Sequence, residues 1–73
     1  MAERVEIHTE YITLGQMLKK MKIIESGGEE KIFVKTHDIS VNEVKEDRRG
    51  RKLRPGDKVR VDGKDYEVCT SAI

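Results

Sequence analysis

A chain of 73 residues has room for one small domain, which at this length buries only about 60% of its unfolded surface. Hydrophobic residues make up 36% and charged ones 40%, with a formal net charge of +1 and one cysteine. Those totals exclude a disulfide framework, a deep pocket and a uniformly polycationic chain. No apolar run approaches the ~20 residues needed to span a bilayer.

Arg4 to His8 alternates, with Val5 and Ile7 on one side, which predicts a half-buried strand. The opening MAERVEIHTE lacks the apolar core of a secretory leader. With the lone cysteine, that sets the expectation of a reducing, cytoplasmic location. Thr13 and Gln16 form a T-x-x-Q capping box, and Leu14, Met17, Leu18 and Met21 follow at helical spacing. Lys19, Lys20 and Lys22 are expected on the solvent face near the helix end, where cations suit the dipole.

Ser26-Gly27-Gly28-Glu29 repeats the cap pattern, so a second helix should begin near Gly27. Its body, Glu29 to Thr36, is read as helix, although Ile32, Phe33 and Val34 are better strand formers. A left-handed cap is expected at His37. Ile39 to Val41 and Val44 to Glu46 read as short strands around an Asn42-Glu43 turn. Arg54-Pro55-Gly56-Asp57 is a turn with Pro second and Gly third. Val59 and Val61 are expected to pair with Tyr66 and Val68 across Asp62-Gly63. The order is strand, helix, helix, then about four short strands, with the helices packed on a small sheet.

Catalytic machinery is not visible. His8 reads as a solvent-facing strand residue, and neither it nor His37 has metal-ligand or triad spacing. Cys69 reads as a small buried residue of the last strand. Glu29 and Glu30 fit a dipole-matched first turn. Ser26-Gly27-Gly28 is either an interhelix turn or a close approach for a phosphate. It lacks the Lys and flanking strand of a nucleotide-binding loop, so no cofactor is expected.

The charge is unevenly spread. Residues 48 to 60 carry seven Lys and Arg and one Asp, leaving eight basic and thirteen acidic residues elsewhere. Solvated faces normally interleave signs, yet Arg48, Arg49, Arg51, Lys52 and Arg54 occur without an acid. Arginine's planar fork suits phosphate oxygens. The stretch is therefore either a surface loop or, as its chemistry favours, a phosphate-binding edge anchored by Leu53.

Thr13 to Leu18 (TLGQML), Ser26-Gly27-Gly28, Lys31, Val41-Asn42 and Arg48 to Asp57 (RRGRKLRPGD) occur in order. Together they resemble the S-four type RNA-binding domain, named for ribosomal small-subunit protein four, and within it the stand-alone bacterial YaaA-like branch. The resemblance covers about residues 12 to 61. It implies an α+β, alpha-L fold: two antiparallel helices on a small, mostly antiparallel sheet of four to five short strands, forming a single domain over 1–73. It also implies binding of structured RNA, ribosomal or transfer. Ser26, Gly27, Gly28 and Lys31 would lie on the RNA side, with Arg48, Arg49, Arg51, Lys52 and Arg54 on backbone phosphates. Lys19, Lys20 and Lys22 join them on charge and helical position alone.

Three positions depart from the family pattern. Glu30 stands where a small Ala is usual, and would either loosen the packing of the two helices, make the RNA face more acidic and weaken RNA affinity, or point outward. His37 and Glu43 stand where Gly is usual. The expected protein is a non-enzymatic, monomeric RNA binder with no membrane partner. The rival is a protein-interaction module docking the basic turn on an acidic partner. Duplex DNA is disfavoured by the lack of a recognition-helix pattern or dimer zipper. No aromatic is marked for base stacking, so strong single-strand readout is not expected.

Overall fold

Alternation of burial organises the sheet. In the computed structural model, which describes residues 2–70, strand β1 (Glu3–Ile7) turns Val5 and Ile7 inward and leaves Glu3, Arg4 and Glu6 exposed. The same two-residue period recurs in β3 (Ile39–Val41), β6 (Lys58–Val61) and β7 (Lys64–Thr70), which bury Ile39, Val41, Val59, Val61, Tyr66 and Val68. With β4 (Val44–Lys45), these strands make a five-stranded sheet in the order β1-β7-β6-β3-β4. All its pairs are antiparallel except β1 with β7, where Val5 lies opposite Val68.

The Asp62-Gly63 hairpin forms, with positive φ at both turn residues, as a two-residue primed turn requires. Its register differs from expectation in one respect. Val59 faces Tyr66, but Val61 faces Lys64, because two loop residues leave no slack. Val68 lies opposite Val5 in β1.

Helix α1 (Leu14–Lys20) begins as its capping box predicts. The Gln16 N–H donates to Thr13 Oγ1 at 3.2 Å, and the Thr13 N–H donates to Gln16 Oε1 at 2.8 Å. Leu14, Met17 and Leu18 are fully buried. The helix stops before Lys22, whose φ of +59° takes the chain off the helix and lets Ile24 reach the core. A 3-10 turn (Gly27–Glu29) leads into α2 (Glu30–Thr36), which contributes Val34 to that core and half-buried Phe33 to its margin.

Two local expectations need correction. Ser26 does not cap a backbone N–H; its hydroxyl donates instead to Glu29 Oε1 at 3.4 Å. His37 is extended (φ −110°), not left-handed. It stacks on Phe33, with ring centroids 3.8 Å apart, and its Nδ1 meets Asp62 Oδ2 at 2.7 Å. A tertiary contact across to the hairpin thus overrides the local cap. The positive φ angles fall on Asn42 (+51°) and Glu43 (+69°), in the turn between β3 and β4.

One element was absent from the sequence reading. β2 (Ile12–Thr13) pairs antiparallel with β5 (Lys52–Leu53) in a separate two-stranded ribbon. Among the described residues the architecture is α+β: two α-helices, a mostly antiparallel five-stranded sheet and this ribbon, which carries the basic segment.

Candidate nucleic-acid interface

The ribbon aims the basic residues. Ile12 lies opposite Leu53, and Leu53 is fully buried. Side chains alternate across a strand, so Lys52 and Arg54 on either side of Leu53 project outward and are exposed. The stretch is also stitched to α1. The Leu14 N–H donates to the Arg51 carbonyl at 2.8 Å and the Gly15 N–H to the Arg49 carbonyl at 2.9 Å. A helix start leaves about four N–H groups without helical partners, and here the basic segment and the Thr13 cap supply partners for three. The backbone of residues 49–51 is thereby fixed. Downstream, Pro55-Gly56 closes a turn in which the Asp57 N–H donates to the Arg54 carbonyl at 2.9 Å, with Gly56 at φ +98°, as a type II turn demands.

A buried acid organises the arginines. Glu46 follows β4, its N–H donating to the Ile39 carbonyl, and its side chain is only 5% exposed. Arg48 Nε donates to Glu46 Oε2 at 2.9 Å and Arg48 Nη2 to Oε1 at 3.3 Å, while Arg51 Nη1 donates to Oε1 at 3.0 Å. The Arg48 N–H adds a fourth bond. Hydrogen bonding from Arg48, then from Arg51, outweighs burial and draws the Glu46 carboxyl down to about 2. Each guanidinium has five N–H donors; Arg48 uses two side-chain donors on Glu46 and Arg51 uses one. Both keep donors for a second acceptor. With Gly50, Lys52, Arg54 and Asp57 they line one open surface groove.

Glu30 does not point outward. It is 9% exposed and lies between the two helices beside Gly15, where a Cβ would fall within 1.9 Å of its Oε1. The missing Gly15 side chain makes the room that Glu30 fills. Its carboxylate meets Lys19 Nζ at 3.3 Å and Arg49 Nη1 at 4.0 Å. Gly27 is adjacent: a Cβ there would stand 3.4 Å from Glu30 Oε2 and 3.7 Å from Lys19 Nζ. This cluster joins α1, the turn before α2 and the basic segment.

The structure therefore divides the candidate residues. Arg48, Arg51, Lys52 and Arg54 share one groove. Lys19, Arg49 and Gly27 gather around Glu30. Lys20, Lys22, Ser26, Gly28 and Lys31 are exposed, and no ion pair among the described residues ties them to either cluster. Arg60 belongs elsewhere: it pairs with Asp65 at 2.8 Å across the β6–β7 hairpin. Sequence reasoning missed Glu46. Its available signal was an acid two and five residues before two arginines.

Tyr11 was also missed. It is 38% exposed and precedes β2 directly, which continues the ribbon register to place it opposite Arg54. Lys52 Nζ lies 5.0 Å and Arg54 Cζ 5.8 Å from its ring centroid, within cation–π range. An aromatic ring thus stands at the basic edge, contrary to the expectation of none.

Three comparisons bear on this arrangement. The family model described as "S4 domain" matches residues 5–69. The "Probable ribosome maturation protein RlbA" of Bacillus subtilis (strain 168) is 49% identical over 63 residues, spanning 86% of this chain and 89% of that protein. No solved structure matches significantly.

Proposed function

The chain belongs to the S4 domain family, and we propose on that footing that it binds structured RNA as a non-enzymatic module in ribosome maturation. The observation that carries the reading is the groove of Arg48, Arg51, Lys52 and Arg54, with two of its arginines held by buried Glu46. Arginines fixed in advance lose less rotamer freedom when a phosphate arrives. Lys19 and Arg49, held by Glu30, extend the positive edge toward α2. Ser26, Gly27, Gly28, Lys20, Lys22 and Lys31 would make outlying contacts with the same RNA. The name of the Bacillus subtilis relative supports ribosomal RNA over transfer RNA, and a cytoplasmic location follows from that partner.

Four phosphate contacts predict a log–log salt slope of about −3 on RNA. Filter binding of a ribosomal RNA hairpin at rising salt measures it. Lys52→Ala with Arg54→Ala should weaken binding to all structured RNAs alike and flatten the slope by about 1 to 2. A salt-independent association would overturn the electrostatic mechanism, and retention of protein partners after nuclease treatment without RNA affinity would favour the acidic-protein reading instead.

A further inference from the structure

Tyr11 occupies a position that phosphate binding does not use. Its ring lies within cation–π range of Lys52 and Arg54 of the ribbon. It also lines a second open groove, shared with Glu10, Gln16 and Lys20 of the α1 side, to which neither Lys52 nor Arg54 contributes. The ring thus lines the second groove and adjoins the first through Lys52 and Arg54, which line it. Tyr66 is 5% exposed, Phe33 is half-buried against the core, and the chain has no Trp. Among the described residues Tyr11 is the aromatic ring available to a ligand at this edge.

The second groove differs chemically from the first. It carries Glu10, whose negative charge offsets that of Lys20, and Gln16, whose Oε1 is engaged by the Thr13 N–H. The Gln16 amide N–H₂ remains a donor, and the Glu10 carboxylate is an acceptor. A ring in a groove that offers donors from Gln16 and Lys20 and an acceptor from Glu10, beside rather than within the arginine-lined groove, suits a nucleobase whose own phosphate lies on the Lys52–Arg54 side. We propose that Tyr11 is the stacking platform for one unpaired base of the bound RNA, the adjoining backbone running through the basic groove. This rests on the RNA-binding reading and adds to it a preference for a bulged or looped nucleotide next to a helix.

Two RNA hairpins test it, identical except that one carries a single bulged adenosine. The bulged hairpin should bind more tightly. Tyr11→Leu, which keeps apolar bulk without a π face, should erase that preference with a loss of roughly 5- to 100-fold. Tyr11→Phe should retain it. Tyrosine emission, coming from Tyr11 and buried Tyr66 alone, should be quenched by the bulged hairpin and not by the paired one. Equal weakening of both hairpins by Tyr11→Leu would show that the ring merely steadies Lys52 and Arg54, and would overturn the proposal. So would equal affinity of the wild type for both. If neither hairpin binds with a salt-dependent affinity, the RNA-binding reading itself fails, a result distinct from the other two.

Discussion

Replacing Glu46 with Gln tests the organisation of the basic edge. The carboxyl is 5% exposed, accepts hydrogen bonds from Arg48 and Arg51, and is drawn from 4.5 to about 2. At ~1.4 kcal/mol per tenfold change in a proton affinity, that gap sets a ceiling of ~3 kcal/mol on the stabilisation. The Arg48 side chain is 72% exposed, so solvent screening lowers the figure to about 2 kcal/mol. For a chain this short, total stability is only roughly 4–11 kcal/mol, and Glu46→Gln should lower the melting temperature by about 8–16 °C. The folded value lies below the ordinary one. The stabilisation is therefore complete above about pH 4.5 and drains away as pH falls toward 2. Thermal melts of wild type and Glu46→Gln should differ most at pH 6–7 and converge near pH 2. In the double variant Arg48→Ala, Arg51→Ala the buried carboxylate loses its partners, its proton affinity rises, and mild acid should relieve part of the destabilisation. A Glu46→Gln variant within about 0.5 kcal/mol of wild type at neutral pH, or a gap that does not close in acid, would refute the reasoning.

Further substitutions probe the neighbouring devices. Gly15→Ala places a Cβ on the Glu30 carboxylate and should cost about 1–2 kcal/mol; with Glu30→Ala also present it should become neutral or stabilising, since Ala favours helix over Gly by about 1 kcal/mol. Additive effects in urea titrations would disprove that coupling. Glu43→Gly, at φ +69°, should stabilise by about 0.5–1 kcal/mol, because a left-handed residue with a Cβ is strained; a lowered melting temperature would count against it. Leu53→Ala empties the core beneath the ribbon and should cost about 2–5 kcal/mol. Urea unfolding measures this directly, and a loss below 1 kcal/mol would mean the ribbon is not anchored there.

Features decided within a few residues were legible in the sequence. The Thr13–Gln16 capping box, the Arg54–Asp57 turn and the Asp62-Gly63 hairpin each rest on chemistry complete within four residues, and all three form. What escaped depends on distant partners. β2 and β5 are two residues each, too short to show a period, and exist because Leu53 and Ile12 meet. His37 has a local reason to cap a helix, yet Asp62, 25 residues away, holds it extended. Glu46 and Val44 invert the rule of polarity: the acid is buried and Val44 is 66% exposed. The candidate residues Arg48 to Arg54 were visible as charge, but which acids would hold them was not: Glu30 reaches Arg49 only through the fold, and Glu46, though two and five residues from its arginines, is buried only in the folded chain.

That distinction changes what the charge cluster can do. Seven cations between residues 48 and 60, taken as independent phosphate contacts, would give a salt slope of about −5. The fold removes several from that count: Arg60 pairs with Asp65 on the sheet, Arg49 shares Glu30 with Lys19, and Arg48 with Arg51 shares Glu46. Each shared acid subtracts a charge from the field while leaving its arginines with spare donors in set directions. Such an edge loses long-range attraction and gains a defined arrangement of forks, which favours RNA of matching backbone shape over any polyanion. Heparin, a flexible polyanion, separates the two cases. If geometry governs, heparin should compete poorly against a structured RNA at equal charge, and Glu46→Gln should narrow the difference by loosening the arginines. Equal competition by heparin and by RNA in the wild type would mean that the count of charges, and not their placement, determines binding.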